Sequence, residues 1–481
     1  MWGLEFGLQR LRNLLIMSIL LILIFSQPIS VAAVSNSNAN INYVIDYTTW
    51  YGAGVNKGLD IMLDDNNNIY IVGSTTSFSN DSDNTDILVL KYDSNGNLIW
   101  NRTWGGKHID KGLAAVTDSN GFIYVLARSW YLDSPSITML KYDRDGNLIW
   151  NKSLAGPSKF GCGMILGNDG NLYVVGYEET EDRIHDGLLM KVSTEGEIIW
   201  ERTYSGKYVD RYQDIAIDEN GDIYVVGQTE LENVDRINIL VSKYNAGGDL
   251  LWNKSFDIEE TSSQAVSVTV DESGNIYVIG NIGLNSTFAN DILVLKLDND
   301  GNILWYKVWD GGYFDKAYDA VLDRNGNVYV IGFGEEYNSV KKEYVTNLLL
   351  LKFDANGNLL WQKTWNNDWE YVEGKSAVID DQDDIFIVGN AYPENKPEEW
   401  NIVVLCVSLD VDNDGLGKWM ESKLGTDPNK SDSDGDGFLD SSDIDPLNPL
   451  VPWGFFALGI VLVAVTVHFI RLRKSSIRKI S

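Results

Sequence analysis

Residues 141–150 read KYDRDGNLIW, and five close variants of this phrase occur elsewhere in the chain of 481 residues. Each variant begins with strand-forming residues, passes through Asn, Asp or Gly, and ends in a second apolar run that finishes with Trp. Asn, Asp and Gly tolerate the positive φ of a tight turn, so the phrase predicts a repeated β-hairpin. The variants are KYDSNGNLIW at 91–100, KVSTEGEIIW at 191–200, KYNAGGDLLW at 243–252, KLDNDGNILW at 296–305 and KFDANGNLLW at 352–361.

A second phrase, a short apolar strand that usually ends in Gly, recurs seven times at intervals of 49 to 57 residues. A period in this range is typical of repeat architectures. Its copies are IYIVG at 69–73, IYVLA at 123–127, LYVVG at 172–176, IYVVG at 223–227, IYVIG at 276–280, VYVIG at 328–332 and IFIVG at 385–389.

Residues 106–154 show the whole repeating unit, which reads as four short strands: GLAAVTD, IYVLA, ITMLKYD and LIWNKSL. One such sheet cannot bury both of its faces, whereas sheets packed face to face around an axis can, as in a β-propeller. The recurrent Trp residues follow the turn between the third and fourth strands, and we expect each to pack on the neighbouring blade. They are Trp100, Trp150, Trp200, Trp252, Trp305 and Trp361.

The number of copies predicts how the ring closes. The last unit ends with NIVVLCVSLD at 401–410 and lacks a fourth strand of its own, whereas NYVIDYTTW at 42–50 precedes the first unit. We expect this N-terminal strand to complete the last blade, which removes an open sheet edge. The predicted fold is all-β, with a seven-bladed propeller of four-stranded blades over residues 42–410.

The pattern W-G-G, D-x-x-G-N-I-Y-V-V-G and L-K-Y-D-x-x-G-N-L-I-W resembles the SBBP family of seven-bladed β-propeller repeats over about 370 residues. Ala127 replaces the usual Gly, and Val192 and Ser193 replace Tyr-Asp. The resemblance implies a surface or secreted propeller and names no reaction. The turn Gly stands four residues before Trp, unlike the sialidase Asp box, and the vicinal Cys pair of quinoprotein dehydrogenases is absent from the sequence.

The acidic segment after the last strand predicts calcium binding. Residues 410–421, DVDNDGLGKWME, fit the calcium-loop pattern D-x-[DN]-x-[DN]-G-x5-E, and residues 432–443, DSDGDGFLDSSD, repeat the scheme. With no flanking helices expected, the pair resembles thrombospondin type 3 repeats, and a disordered acidic linker is the alternative. The predicted ligands are Asp410, Asp412, Asp414, the Leu416 carbonyl, Glu421, Asp432, Asp434, Asp436, the Phe438 carbonyl, Asp440 and Asp443.

Both ends of the chain carry membrane-targeting patterns. Residues 1–33 read as a secretory signal peptide, with an uncleaved anchor as the alternative. Residues 451–470 read as a transmembrane helix and the basic residues 471–481 as a cytoplasmic tail, so residues 411–449 would form a calcium-stiffened stalk at the cell surface. A buried core helix is the alternative for residues 451–470. Candidate glycosylation sequons are Asn80, Asn101, Asn151, Asn253, Asn285 and Asn429.

The net charge of −31 makes nucleic acid a poor partner, and two Cys residues far apart in the sequence provide no disulfide framework. Loops of a β scaffold usually carry function, so we expect the face with the variable loops to bind an extracellular protein or glycan non-catalytically. The candidate contacts are Trp104, Tyr208, Phe314 and Trp369. The alternatives are a lyase or glycoside hydrolase with acids such as Asp110 and Asp315 around the channel, or a structural envelope protein.

Overall fold

The computed structural model describes residues 43–448, apart from residues 78–83, 107, 132–133, 156–157, 181–184, 207–208, 231–235, 284–289, 340 and 444. The predicted signal peptide, transmembrane helix and basic tail lie outside the described residues, as do Asn80, Tyr208 and Asn285. Among the helices that are described, none is long and apolar enough to cross a membrane.

The described residues form 28 strands and one α-helix, α1 (Lys418–Leu424), with a 3-10 turn at Asp440–Ser442. In chain order the strands are β1 (Tyr43–Trp50), β2 (Asn56–Leu63), β3 (Ile69–Thr75), β4 (Asp86–Tyr92), β5 (Leu98–Trp104), β6 (Asp110–Thr117), β7 (Ile123–Tyr131), β8 (Ser134–Tyr142), β9 (Leu148–Ala155), β10 (Lys159–Leu166), β11 (Leu172–Glu179), β12 (His185–Val192), β13 (Ile198–Tyr204), β14 (Asp210–Ile217), β15 (Ile223–Glu230), β16 (Ile237–Tyr244), β17 (Leu250–Phe256), β18 (Ser263–Val270), β19 (Ile276–Ile282), β20 (Asp291–Leu297), β21 (Ile303–Trp309), β22 (Asp315–Leu322), β23 (Val328–Asn338), β24 (Glu343–Phe353), β25 (Leu359–Trp365), β26 (Tyr371–Ile379), β27 (Ile385–Tyr392) and β28 (Asn401–Leu409).

These strands form five four-stranded antiparallel sheets, each made of consecutive strands, and one eight-stranded sheet. The larger sheet contains two antiparallel runs of four strands. The first is β22 to β25, and the second is β26, β27, β28 and β1. They meet at a single parallel pair, Thr346 with Tyr371. As predicted, the N-terminal strand β1 pairs with β28 along its whole length.

Each four-strand run has its first strand packed against the first strand of the next run, and β2 packs against β26 and β27. The inner strands therefore form a closed ring, which gives a propeller-like fold. The core lies on the second and third strands, which are almost fully buried because sheets cover both of their faces. The fourth strands lie at the outer edge, where side chains such as Ile99, 52% exposed, contact water.

The hairpin turn of the opening phrase explains why the same residues recur. The Asp143 carboxylate accepts hydrogen bonds from the amides of Asp145 and Asn147, and Gly146 has φ +78°, which favours glycine. The Trp100 ring of the preceding run lies against this turn, so a Cβ at Gly146 would lie 3.1 Å from Trp100 Cε2. The predicted packing of the repeated Trp residues on the neighbouring sheet is thus confirmed at this turn.

Candidate functional site

The first acidic loop brings its carboxylates together as the spacing predicts. One oxygen each of Asp410, Asp412 and Asp414 lies within 4.8 Å of the other two. The turn depends on Gly415, which has φ +93°, and its amide donates to Asp410 Oδ2 at 3.2 Å. This geometry leaves the remaining carboxylate oxygens directed at one space rather than at backbone amides.

One remaining oxygen of each aspartate is buried and has no hydrogen-bond partner among the described residues: Asp410 Oδ1, Asp412 Oδ2 and Asp414 Oδ2. The same is true of Glu421 Oε1. Burial, followed by the like charges of Asp412 and Asp414, raises the pKa of Glu421 to about 8. Unpaired carboxylate oxygens facing one another are costly unless a cation lies among them. Hard oxygen ligands of this kind suit Ca²⁺, so the donor set fits the predicted ion.

A helix comes after the first loop, which corrects the expectation that no helix flanks it. The helix α1 carries Glu421, which is 6% exposed, and ends at Gly425 with φ +80°. Two amides of its first turn, those of Trp419 and Met420, donate to Asp46 Oδ2 on β1 at 2.8 and 3.1 Å. The first loop is therefore attached to the propeller.

The second loop is a shallower site. Asp432, Asp434 and Asp436 converge, and Asp434 Oδ2 and Asp436 Oδ2 have no hydrogen-bond partner among the described residues. Burial, followed by the charges of Asp436 and Asp443, raises the pKa of the Asp434 carboxyl, so Asp443 lies near this cluster. Phe438 is 41% exposed, and its amide donates to Asp436 Oδ1.

Asp440, a predicted ligand of the second loop, is hydrogen-bonded within that loop, and its role as a ligand stays a prediction. Its two oxygens accept hydrogen bonds from the amide and hydroxyl of Ser433, at 2.8 and 2.6 Å. It also lies near the first loop. Burial raises the pKa of Asp414 to about 6, against the lowering effect of the Leu416 amide, and the charges of Asp412, Asp410 and Asp440 raise it further. Ser441 Oγ donates to the Asp414 carbonyl, so the two loops are in contact. The carbonyl ligands predicted at Leu416 and Phe438 stay predictions.

The predicted partner-binding residues that the structure describes come from different parts of the ring: Trp104 ends β5, Phe314 precedes β22, and Trp369 lies between β25 and β26. Trp104 is half-buried against the cluster between β3 and β7, and Phe314 stacks on Phe333 with ring centroids 5.8 Å apart. Trp369 stacks on Tyr51 at 6.5 Å. Their role in partner binding stays a prediction.

Trp369 lines a cleft of about 490 Å³ on the side of the ring that carries the variable loops. Its other walls include Tyr51, Pro393 and the ion pair of Lys396 with Glu399, whose charged atoms lie 2.8 Å apart. An exposed aromatic pair beside polar groups could bind a sugar ring.

Sequence analysis missed a set of basic side chains at the inner end of the variable-loop face. Four basic residues occupy the same register position on four inner strands, two residues before the bulged residue of each strand: Lys57, Lys111, Arg211 and Lys316. We call this position and its surroundings the channel mouth. The sequence did contain a signal, because Lys or Arg directly follows Asp110, Asp210 and Asp315. It did not show that these basic residues share one ring.

Two further cations belong to the channel mouth. Arg128 pairs with Lys111 across the strands, and Lys375 is the bulged residue of β26. Burial, followed by the charges of Lys57 and Arg128, lowers the pKa of Lys111. The pKa of Lys375 is also lowered, by burial first, with further contributions from Lys316 and Lys57. These cations therefore share one local field.

Aromatic rings alternate with the cations at the channel mouth. Lys57 Nζ lies 4.0 Å from the Trp400 ring centroid, and Lys375 Nζ lies 3.4 Å from that of Tyr318. The Arg211 guanidinium carbon lies 5.0 Å from the Tyr177 centroid, and its Nε donates to His185 Nδ1 at 2.7 Å. The mouth thus presents positive charge on a framework of aromatic rings.

One buried acid, Glu373, balances part of this charge. It is 4% exposed and accepts hydrogen bonds from the hydroxyls of Tyr371 and Tyr318 at 2.9 and 3.2 Å. Lys375 Nζ lies 2.9 Å from the same carboxylate. Burial, followed by the charge of Glu373, raises the pKa of both tyrosines, which makes them poor general bases.

Farther along the inner strands from the channel mouth, three acidic residues stand directly after the bulged residue. Asp60, Asp214 and Asp319 share this position with Ser267 and Ser376. Burial, opposed in part by hydrogen bonds, raises the pKa of Asp60 to about 6, and burial with the charge of Asp319 raises that of Asp214 to about 7.

Asp110, Asp210 and Asp315 hold the links between sheets. One oxygen of each accepts the amide four residues earlier, of Gly106, Gly206 and Gly311, at 3.1, 2.7 and 2.7 Å. Asp315 also approaches Asp291 and Asp310 closely enough that the three could hold a cation.

Comparison with known proteins identifies the fold and the family. No curated protein matches the chain. A solved ulvan lyase of polysaccharide lyase family PL25 is 11% identical, with a TM-score of 0.52 over 74% of this chain and 95% of that one. The same type of lyase bound to -[GlcA(1-4)Rha3S]- gives 12% identity and a TM-score of 0.50 over 74% and 95%. A gluconolactonase from Xanthomonas campestris gives 12% identity and a TM-score of 0.36 over 63% and 90%.

At these identities the likeness shows the fold alone. The family evidence is a match to the model of outer membrane protein assembly factor BamB over residues 85–330. The SBBP-type and thrombospondin type 3 resemblances stay predictions. Because the match spans just over half of the chain and covers the repeated four-stranded sheets, the chain belongs to the BamB-type repeat family.

Proposed function

We propose that the protein is a seven-bladed, calcium-binding propeller of the cell surface that binds an anionic glycan at its channel mouth without chemistry. The blade count follows if the two antiparallel runs of the eight-stranded sheet, which share one residue pair, are separate blades. The predicted signal peptide, the predicted transmembrane helix at 451–470 and the sequons support surface display. Of the described sequons, Asn101, Asn151 and Asn253 lie on exposed outer strands.

The observation that carries the proposal is the concentration of cations at the channel mouth of a chain whose net charge is −31. A strongly acidic surface repels anions everywhere except at such a site, which makes recognition selective. Aromatic rings beside the cations offer flat apolar surface to a sugar ring. One solved neighbour of the same fold was bound to -[GlcA(1-4)Rha3S]-, which agrees with a glycan ligand for this face.

Binding without chemistry is supported by the state of the nearby acids and hydroxyls. The oxygens of Asp110 and Asp315 that accept link amides hold turns in place. The Tyr318 and Tyr371 hydroxyls donate to Glu373, and their pKa values are raised rather than lowered. A lyase needs a base poised to remove a proton, and the two tyrosines lack that property.

Calcium binding is the second part of the proposal. The four unpartnered, buried oxygens of the first loop carry it, since carboxylates left in this arrangement need a cation. The second loop would bind a second ion through Asp432, Asp434, Asp436 and Asp443. Extracellular sites of this kind bind calcium at about 10⁻⁴–10⁻³ M, so they would be filled outside the cell.

The test uses the purified full-length protein in calcium-containing buffer on an array of uronate-bearing, sulfated and neutral polysaccharides. We expect saturable binding to the anionic polysaccharides only. Lys111→Gln, which removes an exposed cation of the mouth, should weaken binding about tenfold. Lys307→Gln, which removes an exposed lysine from the outer strand β21, is the matched control and should leave affinity unchanged.

Each other outcome counts against the proposal. Equal binding to neutral polysaccharides, or equal loss in the two variants, would remove the channel mouth as the site. Depolymerisation of an anionic polysaccharide by the protein would establish the enzymatic alternative. Capture of an acidic protein with no glycan binding would replace the ligand class.

A further inference from the structure

The run formed by β26, β27, β28 and β1 lacks two side chains that every other run has. In the other six runs a Lys on the third strand pairs with a Trp on the fourth, as Lys91 pairs with Trp100. The equivalent register positions here hold Cys406 on β28 and Asp46 on β1. The seam between this run and the sheet of β2 to β5 therefore has no repeat Lys or Trp of its own.

The helix α1 supplies a Trp to this seam. Trp419 is fully buried, and a Cβ at Gly96 would lie 2.9 Å from Trp419 Cδ2. Trp305 is placed in the same way at another seam, where a Cβ at Gly357 would lie 2.9 Å from its Cε3. The hydrogen bonds agree too, because each indole Nε1 donates to the carbonyl two residues before that glycine. Trp419 donates to Ser94 O at 2.9 Å, and Trp305 donates to Ala355 O at 3.2 Å.

The residue before Trp419 supplies the Lys. Lys418 Nζ lies 2.8 Å from Asp384 Oδ2 and 3.5 Å from Asp380 Oδ2, both in the turn between β26 and β27. Elsewhere the repeat Lys contacts the equivalent turn, as Lys243 does with Asp222 at 2.8 Å. Lys418 and Trp419 thus replace both missing side chains from outside the sheet.

Asp46 explains how α1 is held in this place. It stands where the other runs have Trp, and its Oδ2 accepts the amides of Trp419 and Met420. A Trp at that position would occupy the space that Trp419 fills. The last run therefore replaces its own Trp with an anchor for α1.

The helix α1 also joins this seam to the first acidic loop. Lys418 and Trp419 lie between Asp414 and Glu421 in the sequence, and Glu421 is on the same helix as Trp419. Without a cation, repulsion among the acids of the loop and Glu421 pushes the helix away from the loop. With a cation, Glu421 is drawn towards the loop and α1 is fixed over the seam.

We infer that a calcium ion in the first loop completes the last blade by fixing Lys418 and Trp419 in the places of the missing repeat residues. This inference rests on the proposed calcium binding. It makes the ring closure of the propeller depend on a divalent cation, and it assigns the first loop to the propeller rather than to a separate stalk.

The test uses the full-length protein and three readouts: calcium binding by calorimetry, Tm, and hydrogen exchange of β1 and β28. In the wild type, calcium should slow exchange along β1 and β28 and raise Tm by about 4 °C or more. Asp412→Asn should lose calcium binding at this loop and both effects. Trp419→Phe should still bind calcium but lose most of the calcium-dependent protection of β1 and β28.

Trp305→Phe is the matched control, because it weakens the equivalent contact at another seam. It should lower Tm while keeping the full calcium-dependent protection of β1 and β28. Calcium binding without any change in exchange, or full protection in Trp419→Phe, would overturn the inference and leave the calcium site intact. Absence of calcium binding in the wild type would overturn the site and the inference together.

Discussion

At the residue scale, two carboxyl groups of the inner ring compete for the proton of one hydroxyl, and this competition affects how stability depends on pH. Ser376 Oγ lies 2.9 Å from both Asp60 Oδ1 and Asp319 Oδ2. A hydroxyl has one proton to donate, so a second proton on one of the two carboxyl groups is needed to make both hydrogen bonds. This requirement agrees with the raised pKa values of Asp60, Asp319 and the neighbouring Asp214.

We predict that these acids make the protein less stable as pH rises from about 4 to about 7. Their folded pKa values exceed the ordinary value of 3.8, with those of Asp60 and Asp214 at about 6 and about 7, so the folded state binds more protons than the unfolded state in this window. The free energy of unfolding therefore falls through the window and stays low above it. Asp214→Asn keeps an acceptor for the Val268 amide and should raise stability at pH 8.

The measurement is chemical denaturation of wild type and variant from pH 4 to 8 with a chelator present, so that calcium does not contribute. Asp169→Asn provides a control of opposite sign. Burial raises the pKa of Asp169, but hydrogen bonds from Lys191 and Asn171 outweigh burial and lower this pKa to about 2. That variant should lose stability at neutral pH. An Asp214→Asn protein that is less stable than wild type at pH 8 would contradict the prediction.

At the scale of the element, the repeated hairpin turn serves two purposes that substitution can separate. Gly146, in the turn between β8 and β9, and Gly170, in the similar turn between β10 and β11, both have positive φ, at +78° and +74°. A Cβ on Gly146 would contact the Trp100 ring and Arg102 Nε at 3.1 and 2.9 Å, whereas a Cβ on Gly170 would meet nothing within 4 Å. The first glycine therefore allows both the turn and the packing of the neighbouring sheet.

We predict that Gly170→Ala lowers the free energy of unfolding by roughly 1–2 kcal/mol, the cost of the left-handed conformation for alanine. Gly146→Ala should lower it further, because the Trp100 ring must also move. Denaturant unfolding of the two variants measures the difference. Equal losses would show that the turn conformation alone explains the recurrent glycine.

Sequence repetition predicted the sheets well because strand, turn and packing requirements agree in each copy. It correctly paired β1 with β28, since the counts of second and fourth strands differ by one. It missed α1, because the calcium-loop pattern fixes the spacing of the ligands but not the conformation of the residues after the loop. It could not assign Trp419 to the last seam, because the equivalence with Trp100 depends on a register across residues 46 and 406 that only the folded ring provides.

At the scale of the whole molecule, the electrostatic potential far from the protein is negative, whereas the potential at the channel mouth is positive. The chain carries a net charge of −31, yet Lys57, Lys111, Arg211 and Lys316 gather at equivalent positions of the inner ring. An anionic ligand is repelled at distances beyond about 10 Å and attracted once it reaches the channel mouth. Separate kinetic constants report these two regimes.

We therefore predict that salt accelerates both steps of binding. Between about 20 and 200 mM salt the association rate constant for an anionic polysaccharide should rise, because screening weakens the long-range repulsion. The dissociation rate constant should rise as well, because the contacts at the mouth weaken. Surface plasmon resonance on the full-length protein measures both. Lys111→Gln should increase the dissociation rate constant while leaving the salt dependence of association nearly unchanged. An association rate constant that falls with salt would mean that the field of the channel mouth extends beyond the acidic surface and governs the approach.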